Sequence, residues 1–282
     1  MEMEIPLSTS MTRYNSTMRS LFVVVVVLLL AACPQHPDEG GFPAEGELGG
    51  EGEEGEGEEG EGEGEGEGEG EGEGEGEGPQ PGFGAISGPC GVLDDELSSP
   101  LPFYLDETSI DFGTDPYDDA DLLLLTAGGQ EMVSDDNAGG NSLLSEVFSF
   151  EFLARCEGAT LFKTETEVEY TVKQTKITDL VVLIEGVRYG VSVVRTFVFP
   201  EGTPLSSEEA TRRLEGKLDD ILVSSANVAA SDAWDKQILA VIANEPEHLA
   251  VWRAAYDDLD DETRADTIVY VILTNGDDAF LH

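Results

Sequence analysis

Few side chains in this 282-residue sequence have both the type and the spacing for chemistry, and the best placed is Asp179. It opens the apolar run "DLVVLI", which reaches Glu185-Gly186 and continues into a second run from Val187. A two-residue turn at that point pairs Ile184 with Val187. Counting outward then sets Asp179 opposite Ser192, their side chains on one face about 5 Å apart. Val194 follows two residues on, on the same face, whereas Arg195 points to the other. Glu146, between Leu143 and Phe150 at helical spacing, is the other acid in an apolar setting. Glu146 and Asp179 therefore form the candidate catalytic and metal-binding pair. Mg2+ or Mn2+ is the implied ion, because magnesium takes one or two carboxylates and fills its shell with waters and phosphate oxygens. Each acid also has a plainer reading: Glu146 as a salt-bridge or helix-dipole partner, Asp179 as the cap of a strand start.

The elements that must position these residues read as follows. "LPFYLDETSIDFG" is extended, and "DPYDDADLLLLTAGG" is a short helix with Asp115 as cap and Gly128 as stop. Its acidic cluster lacks the spacing of an EF-hand loop, which leaves a negatively charged helix start. "NSLLSEVFSFEFLARC" is a buried helix capped by Asn141 or Ser142, apolar around most of its circumference. "VEYTV", with Val168, Tyr170 and Val172 on one face, "DLVVLI" and Val187 to Phe199 form a three-strand meander. Glu165, Glu167 and Glu169 then belong to a solvated strand face. An amphipathic helix follows, with Ser206 and Glu209 as a capping box and Leu214, Leu218, Ile221 and Leu222 as its buried side. Arg212, Arg213 and Lys217 on this helix could meet phosphates, but Glu208–Arg212 and Glu209–Arg213 at i,i+4 spacing favour a salt-bridged surface. "KQILAVIA" is a strand, Asn244 caps a helix through Trp252 and Tyr256, and "DTIVYVIL" is the last strand.

The order helix, three-strand meander, helix, strand, helix, strand, with "TDLVVLIEGVRYGVSVVR", resembles the restriction-endonuclease-like, or PD-(D/E)XK, nucleases over about residues 141 to 275. The resemblance implies an α/β fold (a mixed α+β sheet), with a core of about five strands flanked by helices in the order αβββαβαβ. It also implies metal-binding acids at Asp179 and on the preceding helix at Glu146, with an E-x-K on the third strand. This chain departs from the pattern at Ser192 and Val194, so the resemblance implies a degenerate site.

The N-terminal part carries a different signal. Arg13 and Arg19 precede an unbroken apolar run from Leu21 to Ala32, which ends in Leu30-Ala31-Ala32-Cys33. About twelve residues are too few to span a bilayer as a helix and suit a signal-peptide core. The ending resembles the lipobox of bacterial lipoproteins, which implies cleavage before Cys33 and acylation of that cysteine. Two or three acyl chains anchor a protein stably in a lipid bilayer. Glu2 and Glu4 suit the leader poorly, so Met11 is an alternative start to Met1. Pro34 after the cysteine makes the outer membrane the default over the inner. Then comes the Glu-Gly alternation of residues 51 to 78. Glycine maximises chain entropy and glutamates repel, so such a segment stays extended and disordered. The organisation is therefore 1–32 signal peptide, 33–85 tether and 86–282 globular domain.

That domain holds 39 acidic against 12 basic residues. Such a balance argues against a broad nucleic-acid or anionic-lipid surface. With only His248 and His282, it has almost no material for Ser/His/Asp catalysis or a histidine-rich zinc site. Cys90 and Cys156 are its two cysteines, and an oxidising compartment favours a bridge that would contribute about 4 kcal/mol by chain entropy. Two functions follow for such a chain: a noncatalytic binding or structural role in the envelope, or a metal-dependent phosphodiesterase using Asp179 and Glu146.

Overall fold

A computed structural model describes residues 78–135 and 142–282. The apolar leader, Cys33, nearly all of the Glu/Gly tether and the candidate cap Asn141 lie outside the described residues. Strands β1 (Ala85–Ser87), β2 (Phe103–Asp111), β3 (Thr160–Thr164), β4 (Leu180–Ile184), β5 (Val187–Arg195), β6 (Lys236–Ala243) and β7 (Ile268–Asn275) form a mixed sheet in the order β1-β2-β7-β6-β5-β4-β3. β2, β7, β6 and β5 run parallel, with β1 antiparallel at one edge and the β3–β4–β5 meander at the other. The helices are α1 (Asp95–Ser98), α2 (Ala127–Ser134), α3 (Leu143–Glu157), α4 (Ser207–Asn227), α5 (Pro246–Asp257) and α6 (Asp261–Arg264). From α3 to β7 the expected αβββαβαβ order holds, with short α6 inserted before β7. The expected five strands become seven because β1 and β2 extend the sheet beyond β7.

Both faces of the sheet are covered, which explains why β6 is apolar throughout instead of alternating. Ile238, Ala240, Ile242, Ile268 and Tyr270 meet the aromatic side chains of α3, Phe148 and Phe152 among them. Leu239, Val241, Val269 and Val271 meet Leu214, Leu218 and Trp252 from α4 and α5. Leu222, expected on the buried side of α4, is instead 38% exposed; Ala210 extends that side in the N-terminal direction. Helix α3 is apolar all round because it is sandwiched between the sheet and α2. A Cβ at Gly128 would lie 2.5 Å from the Phe150 ring, so only glycine lets α2 approach α3 this closely. Gly128 therefore belongs inside a helix and does not stop one. The preceding acidic stretch forms a 3-10 turn, Asp119–Leu124, capped by Asp118 and not by Asp115.

Two further expectations need correction. The first meander strand is Thr160–Thr164, not 168–172. "VEYTV" alternates, but its backbone finds other partners: Asp232 accepts the Glu169 N–H at 2.7 Å, and Tyr170 bridges Val228. Glu165, Glu167 and Glu169 thus lie in the connection after β3, where the Glu167 carboxylate accepts the Thr164 N–H at 3.0 Å. Asn244 does not cap α5; Glu245 holds that position and Pro246 opens the helix.

At the N-terminal end, packing begins before Ile86. Phe83 is buried in the aromatic core. Three consecutive residues at the end of α3 hold the incoming chain: the Arg155 guanidinium donates to the carbonyls of Gln80, Phe83 and Gly84 at 2.7–2.9 Å. Cys156 is disulfide-bonded to Cys90, as the sequence suggested. Glu157 accepts the N–H groups of Val92 and Leu93, both at 3.1 Å. The segment from Gln80 is thus part of the folded unit and not of the tether.

Candidate functional site

The turn at Glu185-Gly186 is the two-residue type, with both residues at positive φ, 51° and 80°. Ile184 pairs with Val187 and Leu180 with Val191, so the register sets Asp179 across from Ser192 as counted from the sequence. The ladder stops there. Asp179 N–H still donates to Val191 O at 3.0 Å, and the Asp179 carboxylate then accepts the Val193 N–H. A side-chain oxygen replaces the strand carbonyl that would come next, so Asp179 is the cap of β4. Ser192, 4% exposed, and Val194 lie on the face covered by α4 and α5.

Asp179 and Glu146 do come together. They line one crevice, along with Met132, Asp135, Thr164 and Glu165. Glu146 is 5% exposed, in the first turn of α3. Its pKa rises from the usual 4.5 to about 7, chiefly by desolvation, with Asp179 and Glu165 adding to the rise. A hydrogen bond from Ser142 and the more distant charge of Lys217 oppose that rise. Burial also pushes the Asp179 carboxyl up, against the lowering effects of Lys217 and the Val193 N–H. Lys217 Nζ stands 3.7 Å from Asp179 Oδ2, with the lysine side chain 34% exposed.

The place of Lys217 beside Asp179 is what the sequence reading misses. That reading sets Lys217 with Arg212 and Arg213 on one helix surface, and both arginines do pair with Glu209, at 2.7 and 2.6 Å. Lys217 lies one turn further along α4 and faces the end of β4 instead. Only the tertiary packing of α4 on the sheet reveals this, since no nearby residue in the sequence is its partner.

The space left in this crevice is about 10 Å³, at the lower limit for admitting one water molecule. Among the described residues no group of three or more His, Cys, Asp or Glu side chains is arranged to hold a metal ion. Four acids line the crevice without converging as a ligand group, and Asp179 is already engaged by Val193 and Lys217. The donor set therefore does not fit a Mg2+ or Mn2+ centre, and the positions of Ser192 and Val194 add neither a carboxylate nor an amine. What the arrangement does chemically is hold a buried acid, Glu146, that keeps its proton well above the usual carboxylate range and gives it up near neutral pH.

No protein-family model matches the chain, and no solved structure matches it. A Dictyostelium discoideum protein named "AAC-rich mRNA clone AAC4 protein" is 39% identical over 154 residues, which cover 52% of this chain and 22% of that protein. The matched part is thus a small share of the relative's own length, and its name carries no activity or ligand to set beside Asp179 and Glu146. Among the described residues no helix is long and apolar enough to cross a membrane.

Proposed function

We propose that this chain is a lipid-anchored protein of a bacterial cell envelope that displays its α/β domain on a long acidic spacer for noncatalytic binding. The observation that supports the noncatalytic part is the filled crevice. A phosphodiester needs room between the metal-holding acids, and Glu146 and Asp179 leave space for about one water. Asp179 serves as a strand cap, and its opposite number is a buried serine. The anchor rests on Leu30-Ala31-Ala32-Cys33 after the apolar run, and the spacer on the Glu-Gly alternation. The PD-(D/E)XK kinship rests on the αβββαβαβ order and the position of Asp179, and is a proposal of the same standing.

The full chain, in neutral detergent, should leave single- and double-stranded DNA and RNA uncut with Mg2+ or Mn2+. Cleavage abolished by Asp179→Ala would overturn the noncatalytic reading in favour of a phosphodiesterase. Expression in a Gram-negative host should place the wild type in the membrane fraction, with the outer membrane as the default. Cys33→Ala should release it, and unchanged membrane fractionation of that variant would refute the anchor.

A further inference from the structure

The β4–β5 ladder ends at Leu180–Val191, but β5 runs on to Arg195. Beside this overhang, between the start of α3, the end of β5 and α4, opens a cleft of about 520 Å³. That size suits a small molecule. Its charged lining comes from Arg195, Arg213 and Lys217, joined by His282; among the described residues no carboxylate side chain lines it. The domain has 39 acidic residues and only 12 basic ones, yet a quarter of its cations face one cleft whose described lining carries no carboxylate side chain.

These groups are held in place. Arg213 donates through Nε to Glu209 at 2.6 Å and through a terminal nitrogen to Phe197 O at 2.8 Å and Arg195 O at 3.3 Å. Arg195 donates to Leu281 O at 2.8 Å. Lys217 stands 3.7 Å from Asp179, beyond hydrogen-bond distance. The His282 side chain, 9% exposed, lies flat against the Phe197 ring with centroids 4.6 Å apart. Its Nε2 is 3.5 Å from the Asp278 carboxylate, and neither ring nitrogen has a hydrogen-bond partner. Both ring nitrogens are buried, so His282 closes one side of the cleft without offering it a donor.

We propose that this cleft binds a small soluble phosphorylated molecule, its phosphate held between Arg195, Arg213 and Lys217. Guanidinium groups match the several oxygens of a phosphate, and three converging cations suit a dianion better than a single carboxylate. The Phe197 ring and Val194 supply an apolar wall for the organic part. A lipid headgroup is the less suitable source of the phosphate, because the domain's overall negative charge repels an anionic bilayer. The inference names the ligand class for the binding role proposed above and rests on that role. It fails separately, since neither nuclease activity nor membrane fractionation depends on phosphate binding.

The test is titration of the full chain in neutral detergent with inorganic phosphate, by calorimetry, with sodium chloride holding ionic strength constant. Saturable binding is expected, weakened at least tenfold by Lys217→Gln. Asp179→Asn should tighten it severalfold, because it removes the carboxylate that competes for Lys217 while still capping Val193. Lys176→Gln, which breaks a surface ion pair elsewhere, should change nothing. Circular dichroism checks that each variant folds, and Arg195→Gln replaces Lys217→Gln if that one does not. Heat no greater than chloride produces, equal weakening by the Lys176 and Lys217 variants, or weakening by Asp179→Asn would overturn the proposal. Capture on phosphatidylglycerol vesicles without any response to inorganic phosphate would overturn it too.

Discussion

Replacing Glu146 by glutamine should make the domain more stable, and by an amount that depends on pH in a specified direction. The carboxyl is held at about 7 in the folded chain against an ordinary 4.5. Between those values the folded state keeps a proton that the unfolded state has lost, so stability falls as pH rises through that window and levels off above it. At about 1.36 kcal/mol per pH unit the full penalty is about 3 kcal/mol by pH 8 and about 1 kcal/mol at pH 5. The groups facing Glu146 are Asp179, Glu165 and Lys217, and the two acids outweigh the lysine. Glutamine resembles the protonated acid and carries none of this penalty. Urea denaturation at pH 5 and 8, with EDTA present, should find Glu146→Gln about 1 kcal/mol more stable than wild type at the first pH and about 3 kcal/mol more stable at the second. In a domain of this size that gain corresponds to a rise in melting temperature of about 6–12 °C. A variant less stable than wild type at pH 8, or one with an unchanged pH slope, would refute the reasoning. Replacing EDTA with Mn2+ probes the crevice further: if a cation sat between Glu146 and Asp179, wild type but not the variant would gain stability at pH 8. No gain is expected.

Other perturbations have clear signs. Replacing both Cys90 and Cys156 by alanine opens a long loop and should cost about 2–4 kcal/mol, read as a lower urea midpoint. Arg155→Ala leaves the carbonyls of Gln80, Phe83 and Gly84 without their charged donor; a loss of about 2–4 kcal/mol and faster proteolytic cutting ahead of β1 are expected. Lys236 is buried and donates to the carbonyls of Glu96, Ser99 and Leu101, so Lys236→Met should lower stability by about 1–3 kcal/mol and speed hydrogen exchange in that segment.

What was legible in the sequence was what local chemistry decides. Two residues at positive φ between apolar runs demand a tight hairpin, and once that turn is set the Asp179–Ser192 register follows by counting. Ser206 likewise caps α4, its hydroxyl accepting the Glu209 N–H, but the Glu209 carboxylate turns to Arg212 and Arg213 instead of completing the box. Non-local pairing was not legible. Phe103–Asp111 reads as extended, but its partner β7 lies more than 150 residues away, and nothing in either strand names the other. The five alternating residues of "VEYTV" matched a strand pattern, yet polar partners such as Asp232 claimed them while Thr160–Thr164 took the place beside β4. At the site, both acids were visible as charges among apolar neighbours. The cleft was not, because Arg195, Lys217 and His282 come from separate parts of the chain and meet only when α4 and the last turn close on the end of β5.

The grip of Arg155, Cys156 and Glu157 on the segment from Gln80 to Leu93 has a mechanical result. A pull delivered through the residues preceding Gln80 first meets three carbonyls held by one guanidinium, then a covalent bridge into α3. The load enters the long helix that lies across the sheet and bypasses the narrow edge strand β1. A domain fastened this way can be tugged on a leash without its outermost strand being peeled away.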